Sequence, residues 1–304
     1  MTIEVKNLTK KYGQQLAVDD LSFTSAGGEI IGFLGPNGAG KTTTFKMLTA
    51  YLSPSQGSII VNGYDVSEQP EMVRKSIGYL SESNPLYEDM YVKEFLMFIA
   101  RIHDIEIKNN EMDVLLAKVG LEKESHKKIE QLSKGYRQRV GLAQAIVHDP
   151  PIIILDEPTT GLDVNQITGI RGLIKELGKN KTILFSSHIM QEIEAICDRV
   201  IILDKGVKIV DNDLETVRSY KTGVEEVTVE LTAPTKDLTT YKKIPKIKDV
   251  LTKDQRELTM LSDAGEDIRA EIFNAAVSNG DIIIEMKKKD KSIEQVFQQL
   301  TSKQ

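Results

Sequence analysis

The segment Gly35-Pro36-Asn37-Gly38-Ala39-Gly40-Lys41-Thr42 follows the apolar run Ile30-Ile31-Gly32-Phe33-Leu34. The pattern G-x-x-x-x-G-K-[ST] in that position demands a strand that enters a tight loop and opens a helix. Glycines let backbone N–H groups turn inward around phosphate oxygens, and the new helix points its positive end at the same anion. Lys41 then reaches the β- and γ-phosphates and Thr42 holds Mg²⁺. Gly35, Asn37, Gly38, Gly40 and Thr43 complete the candidate nucleotide cradle.

A second element lies far downstream. Pro151-Ile152-Ile153-Ile154-Leu155-Asp156-Glu157 is an apolar, β-branched run that ends in two carboxylates. Its length and composition suit a buried parallel strand. A core strand ending at a helix N-cap also carries Asp. Paired with the phosphate loop, however, Asp156 is expected to bind Mg²⁺, directly or through water. Glu157 is expected to polarise an attacking water, general-base work worth about 10²–10⁴ in rate.

Three further segments carry a family resemblance. Leu132-Ser133-Lys134-Gly135-Tyr136, before a helical stretch from Val140 to His148, resembles the LSGGQ signature of ATP-binding cassette (ABC) proteins, with Lys134 and Tyr136 as departures. Gly161-Leu162-Asp163 resembles the D-loop. His188, after the strand-like Ile183-Leu184-Phe185-Ser186-Ser187, resembles the switch histidine. Tyr12 sits where the family stacks an aromatic ring on adenine. Glu82, in Ile77-Gly78-Tyr79-Leu80-Ser81-Glu82, occupies the place of the usual Q-loop Gln. The resemblance covers roughly residues 2–215. It implies a P-loop NTPase core of α/β class with an N-terminal antiparallel β part and an inserted helical subdomain.

The resemblance assigns roles residue by residue. Glu157 and His188 are catalytic. Tyr12, the phosphate loop, Ser133, Gly135 and Asp163 contact nucleotide. Thr42, Glu82 and Asp156 ligate Mg²⁺. Ser133 and Gly135 are offered to the ATP of another subunit. Only one phosphate loop is present, so one cassette per chain implies a homodimer or a paired ABC subunit. A transmembrane permease is the expected partner, docked near Asn84-Pro85-Leu86-Tyr87. Within the family, the chain looks like the ATP-binding subunit of an ABC-2-type exporter. It is most similar there to the gliding-motility-associated ATPases of Bacteroidetes, through residues 77–90 and 188–203.

The chain of 304 residues has room for two domains and a sizeable core. A net charge of −6 argues against a nucleic-acid-coating protein, so no nucleic-acid partner is expected. No apolar run reaches the ~20 residues that span a bilayer. The N-terminus begins with strand alternation rather than a signal-peptide pattern. The expected location is therefore the cytoplasm, peripheral on the cytosolic face of the membrane. The only cysteine, Cys197, lies in an apolar pattern and reads as core.

Residues 1–218 read as the nucleotide-binding domain, with the helical subdomain at about 85–149. Within it, residues 41–52 read as a helix, Ser58–Val61 as a strand closed by a hairpin turn at Asn62-Gly63, and Val92–Ile102 and Met112–Val119 as helices. Residues 219–304 read as an accessory α+β domain. Its expected strands are Glu226–Leu231, Ile244–Val250, Leu258–Leu261 and Ile282–Met286. Ile268–Val277 and the tail from Ser292 to Leu300 show helical spacing. Lys287-Lys288-Lys289 reads as a solvated run.

The rival reading is a non-transport ABC ATPase acting on ribosomes or DNA. The ribosome-acting kind carries two cassettes, and the chromosome-organising kind inserts long coiled coils between Lys41 and Ser133; neither pattern is present. A second rival is a GTPase or small-molecule kinase, but no guanine-reading motif is present, since Asn180-Lys181-Thr182-Ile183 lacks the Asp.

Overall fold

The structure, a computed structural model, describes residues 2–218, 224–263 and 267–288. The chain divides into two compact units, Met1–Leu214 and Glu215–Gln304.

The first unit opens with β1 (Ile3–Tyr12) and β2 (Gln15–Thr24), an antiparallel pair. β3 (Ile30–Leu34) is buried at every position and delivers the chain to the phosphate loop. α1 (Lys41–Leu48) follows. It stops short of the expected Leu52 because Ala50 turns left-handed at φ 55°. The amides of Tyr51 and Leu52 then fold back onto the Lys46 carbonyl. β4 (Gln56–Val61) and β5 (Tyr64–Asp65) meet across Asn62-Gly63, both with positive φ, as a two-residue hairpin turn requires.

α2 (Pro70–Ser76) was not expected from hydrophobic spacing. Its signals are Pro70 at the first turn, Glu71 beside it, and Arg74 and Lys75 in the last turn. β6 (Ile77–Leu80) leads to the helical subdomain, α3 (Val92–Ile102), α4 (Asn109–Val119) and α5 (Lys134–Ile146). α5 begins six residues before the expected Val140 because the Ser133 hydroxyl caps it, accepting from the Tyr136 amide.

β7 (Ile152–Asp156), α6 (Val164–Gly178), β8 (Thr182–Ser187), α7 (Met190–Ile196), β9 (Arg199–Asp204) and β10 (Val207–Asp213) complete the unit. A six-stranded sheet runs β10-β9-β3-β8-β7-β6, parallel except for edge strand β10. A four-stranded antiparallel sheet runs β2-β1-β4-β5. One core joins both to α1, with Phe33 edge-on to Phe23 at 5.4 Å and to Phe45 at 5.0 Å. Burying each such ring contributes about 1.5–3 kcal/mol. Cys197 is buried beside Gly32, where its Sγ would lie 2.9 Å from an added Cβ.

The parallel order puts the C-terminal ends of β3, β7, β8 and β6 side by side. The phosphate loop, Asp156-Glu157, His188 and Glu82 all follow those ends. Ligands of open α/β sheets bind at that edge.

After α8 (Leu214–Arg218), the second unit contains β11 (Val224–Leu231), α9 (Thr239–Lys242), β12 (Ile247–Thr252), β13 (Glu257–Asp263), α10 (Arg269–Asn279) and β14 (Ile283–Lys288). The sheet order is β12-β13-β11-β14, antiparallel throughout. The strand expected from Ile244 starts instead at Ile247. Tyr241 accepts the Ile244 amide and Ile244 accepts the Ile247 amide, so the end of α9 takes those residues. The Lys288 ammonium pairs with Glu225 at 2.5 Å rather than standing free in solvent. Lys289 and the helix expected over 292–300 lie outside the described residues.

Candidate active site

One pocket gathers most of the expected residues. Asn37, Gly38, Gly40, Lys41, Thr42 and Thr43 form one wall. Tyr12 closes another, with Gln15 and Ala17 beside it. Glu82, Glu157 and His188 face them, together with Thr160.

The loop is shaped by its glycines. Gly40 has φ 102°, and a Cβ there would stand 2.6 Å from the Ala17 carbonyl oxygen. Gly38 has φ 82° with open space around it, so its backbone faces the pocket unshielded. α1 has no side-chain cap and no acidic residue in its first turn. Its leading N–H groups therefore need acceptors that the protein does not supply. Lys41 is 6 % exposed. Its ammonium donates to the Gly35 carbonyl at 2.7 Å and the Pro36 carbonyl at 3.3 Å.

Asp156 and Glu157 end β7 with different environments. Asp156 is fully buried, and Ser186 Oγ donates to its Oδ1 at 2.6 Å. Its Oδ2 has no partner. Burial pushes the Asp156 carboxyl above the usual carboxylate range, opposed by the Ser186 hydrogen bond and by the nearby Thr42 hydroxyl. Glu157 sits at φ 50°, the left-handed region that costs a non-glycine residue roughly 1 kcal/mol or more. Its amide donates to Ser186 Oγ at 2.9 Å, which fixes that turn. Glu157 Oε2 lies 2.8 Å from His188 Nδ1 and accepts from Thr160 Oγ1 at 3.3 Å.

A nucleotide–Mg²⁺ complex fits this donor set. The uncapped helix start and bare glycine backbone suit phosphate oxygens. The orphaned Asp156 Oδ2 beside Thr42 is a hard-oxygen site of the kind Mg²⁺ takes.

Ser133, Gly135 and Asp163 do not line this pocket. Ser133 and Gly135 stand at the start of α5, and a Cβ on Gly135 would collide with the Gln166 side chain. Asp163 caps α6, accepting the Gln166 amide at 2.9 Å. Spacing missed Gln15, Ala17, Thr160 and Ser186. The only signal for the last two is a hydroxyl residue near the ends of β7 and β8, at Thr159-Thr160 and Ser186-Ser187.

The family pattern described as ABC transporter matches residues 18–160. The chain is 44% identical over 206 residues to the ABC transporter ATP-binding protein NatA of Bacillus subtilis, covering 66% of this chain and 83% of that protein. The chain belongs to the ATP-binding subunits of ABC transporters. The cassette is also 42% identical over 206 residues to the bacitracin transport ATP-binding protein BcrA of Bacillus licheniformis, covering 67% of each. A solved ATP-binding subunit of an ABC transporter matches with a TM-score of 0.66 at 32% identity, over 72% of this chain and 92% of that one. A dimeric bacterial ABC transporter cassette matches with a TM-score of 0.64 at 25% identity, over 70% and 98%. The cassette is thus an ATPase, the subunit whose ATP hydrolysis powers a membrane transporter. Among the described residues, no helix is long and apolar enough to cross a membrane.

Proposed function

We propose that two copies of this cassette, or this cassette and a paired ABC subunit, close on two ATP and drive an exporter. The observation that carries the reading is the division of the expected site. Lys41, Glu157 and His188 share one pocket, whereas Ser133 and Gly135 stand outside it. A second subunit would supply the missing Ser133 and Gly135 to each nucleotide. The dimeric architecture of the 25% identical cassette supports this arrangement.

In that assembly Tyr12 stacks on the base, and Asp163 contributes at the nucleotide across the dimer. The phosphate loop from Gly35 to Thr43 cradles the phosphates, with Lys41 turning from its own carbonyls to the β- and γ-oxygens. Thr42, Asp156 and Glu82 would hold Mg²⁺, which neutralises charge on the β- and γ-phosphates when bound. Glu157 takes a proton from the attacking water. His188, half exposed and hydrogen-bonded to Glu157, orients that carboxylate and the γ-phosphate. ATP favours the closed pair only through its higher affinity for that state.

The export direction draws support from the Nod factor export ATP-binding protein I of Rhizobium johnstonii, 39% identical over 218 residues. The permease would dock near Asn84–Tyr87, where Pro85 and Tyr87 are exposed. That partner places the cassette on the cytosolic face of the membrane. Residues 1–218 act as the nucleotide-binding domain and 219–304 as an accessory domain. Assignment to the gliding-motility group rests on residues 77–90 and 188–203 alone.

The test is purification of Glu157→Gln protein from native membranes with MgATP. The expected result is an ATP-dependent dimer that carries a polytopic membrane protein. A monomer at saturating MgATP, or ribosomal or DNA-bound partners without a membrane protein, overturns it.

A further inference from the structure

We propose that Glu192 is a positioning residue that holds Glu157 and His188 in register; this rests on reading those two as the hydrolytic pair. Glu192 lies within the 188–203 stretch quoted above but is given no role there. It stands in the first turn of α7 and is fully buried. Its Oε2 accepts two hydrogen bonds, from Thr159 Oγ1 at 2.7 Å and from Ser187 Oγ at 2.8 Å.

Those two hydroxyls mark the places that matter. Thr159 follows Glu157 by two residues, on the segment leaving β7. Ser187 ends β8 and immediately precedes His188. Ser187 Oγ also accepts the Ile189 amide at 3.0 Å, so it fixes the backbone on both sides of His188. One carboxylate oxygen therefore ties the segment bearing the base to the segment bearing the histidine. The second oxygen, Oε1, faces Arg171 Nη2 of α6 at 3.6 Å.

A carboxylate in this position is costly. Burying it unpaired is expensive, and an apolar residue of similar volume is often no less stable. Stability alone is therefore a poor account of a Glu here. Geometry is a better one. Glu157 is held in an unfavourable left-handed turn, which persists only where its surroundings over-determine it. Ser186 supplies one restraint, Thr160 a second, and the Thr159–Glu192–Ser187 bridge a further one that reaches across to β8. The pair they frame meets at 2.8 Å. A displacement of about 1 Å at such a pair costs on the order of 10²-fold in rate.

The experiment uses the full chain. Glu192→Gln keeps the shape but removes the charge: with its one oxygen on the two hydroxyls its NH₂ is forced against the Arg171 guanidinium, and with that oxygen turned to Arg171 the two hydroxyls meet an NH₂ in place of their acceptor. The expected result is a kcat lowered about tenfold or more, with KM for ATP within about twofold of the parent. Thr159→Val and Ser187→Ala each remove one arm of the bridge. Each is expected to lower kcat several-fold, and neither to add fully to Glu192→Gln. The chain has four histidines, so His188→Ala assigns the His188 ring ¹⁵N resonances. In folded Glu192→Gln protein without nucleotide, the Nδ1 signal is expected to shift or broaden as the contact to Glu157 loosens. Parental kcat with an unmoved His188 signal reduces Glu192 to packing and overturns the proposal. If Glu192→Gln does not fold, Thr159→Val and Ser187→Ala decide on the same readouts. Parental turnover in His188→Ala and Glu157→Gln would instead refute the hydrolytic pair, a separate failure.

Discussion

The Lys41 ammonium stands 3.7 Å from Glu157 Oε1, with both side chains less than a tenth exposed. The cation of the phosphate loop and the candidate base thus balance each other before any nucleotide arrives. Under the proposed function, binding a triphosphate draws Lys41 away and leaves Glu157 to face water.

Lys41→Ala therefore removes more than one phosphate contact. It leaves Glu157 and Asp156 as uncompensated negative charge facing the triphosphate. A charge-assisted hydrogen bond is worth about 1.5–3 kcal/mol, so MgATP affinity should fall roughly 10–100-fold or more. Equilibrium titration with a fluorescent ATP analogue measures it, and retained tight binding removes Lys41 from the site.

Complementation tests the division of the site. A Ser133→Ala copy retains a complete phosphate loop, and a Lys41→Ala copy retains Ser133. A mixed dimer holds one intact composite site and one doubly damaged site. Mixing the two inactive proteins should recover ATPase activity that neither shows alone. No recovery, with mixed dimers demonstrated by cross-linking, would place Ser133 outside the shared site.

Gly78 admits β6 against α5. A Cβ there would land on the Ala145 carbonyl oxygen and within 2.9 Å of Pro150 Cγ. Backbone cannot yield as a flexible side chain can. Gly78→Ala should cost about 1–3 kcal/mol, read as a lower urea midpoint with little change in slope.

His103 and His148 stack at 3.8 Å with rings 7° apart, and His148 Nε2 lies 3.1 Å from the Ile77 carbonyl. Burial, then the neighbouring His103, pulls the His148 pKa down to about 4. The folded chain holds this ring neutral, while the unfolded chain takes up a proton near 6.5. Between about 6.5 and 4 the unfolded state binds more protons, so this contribution is full above 6.5 and is lost as pH falls. The urea midpoint should drop over that window, and His148→Gln should flatten the drop. An identical pH dependence in the variant would refute the assignment.

What the sequence disclosed divides by physics. The phosphate loop, Asp156-Glu157 and His188 were legible because their residue types sit at strand ends in chain order, and strand ends converge at one sheet edge. β3, β7 and α3 were legible from apolar runs and periodicity. Glu192 was not, because its meaning lies in hydrogen bonds to residues 33 and 5 positions away, which no spacing rule encodes. The left-handed turn at Glu157 was equally hidden, since Glu carries no signature of positive φ. The early start of α5 and the late start of β12 were boundary effects, set by one hydroxyl cap and by the closing turn of α9.

The placement of Ser133 and Gly135 away from the pocket that holds Lys41 has a kinetic consequence. If each chain carries complementary halves, turnover is second order in the cassette when it is dilute. Specific activity then climbs with concentration and saturates only when chains are paired. On that reading isolated copies would spend little fuel, and consumption would rise where a membrane partner crowds two of them together.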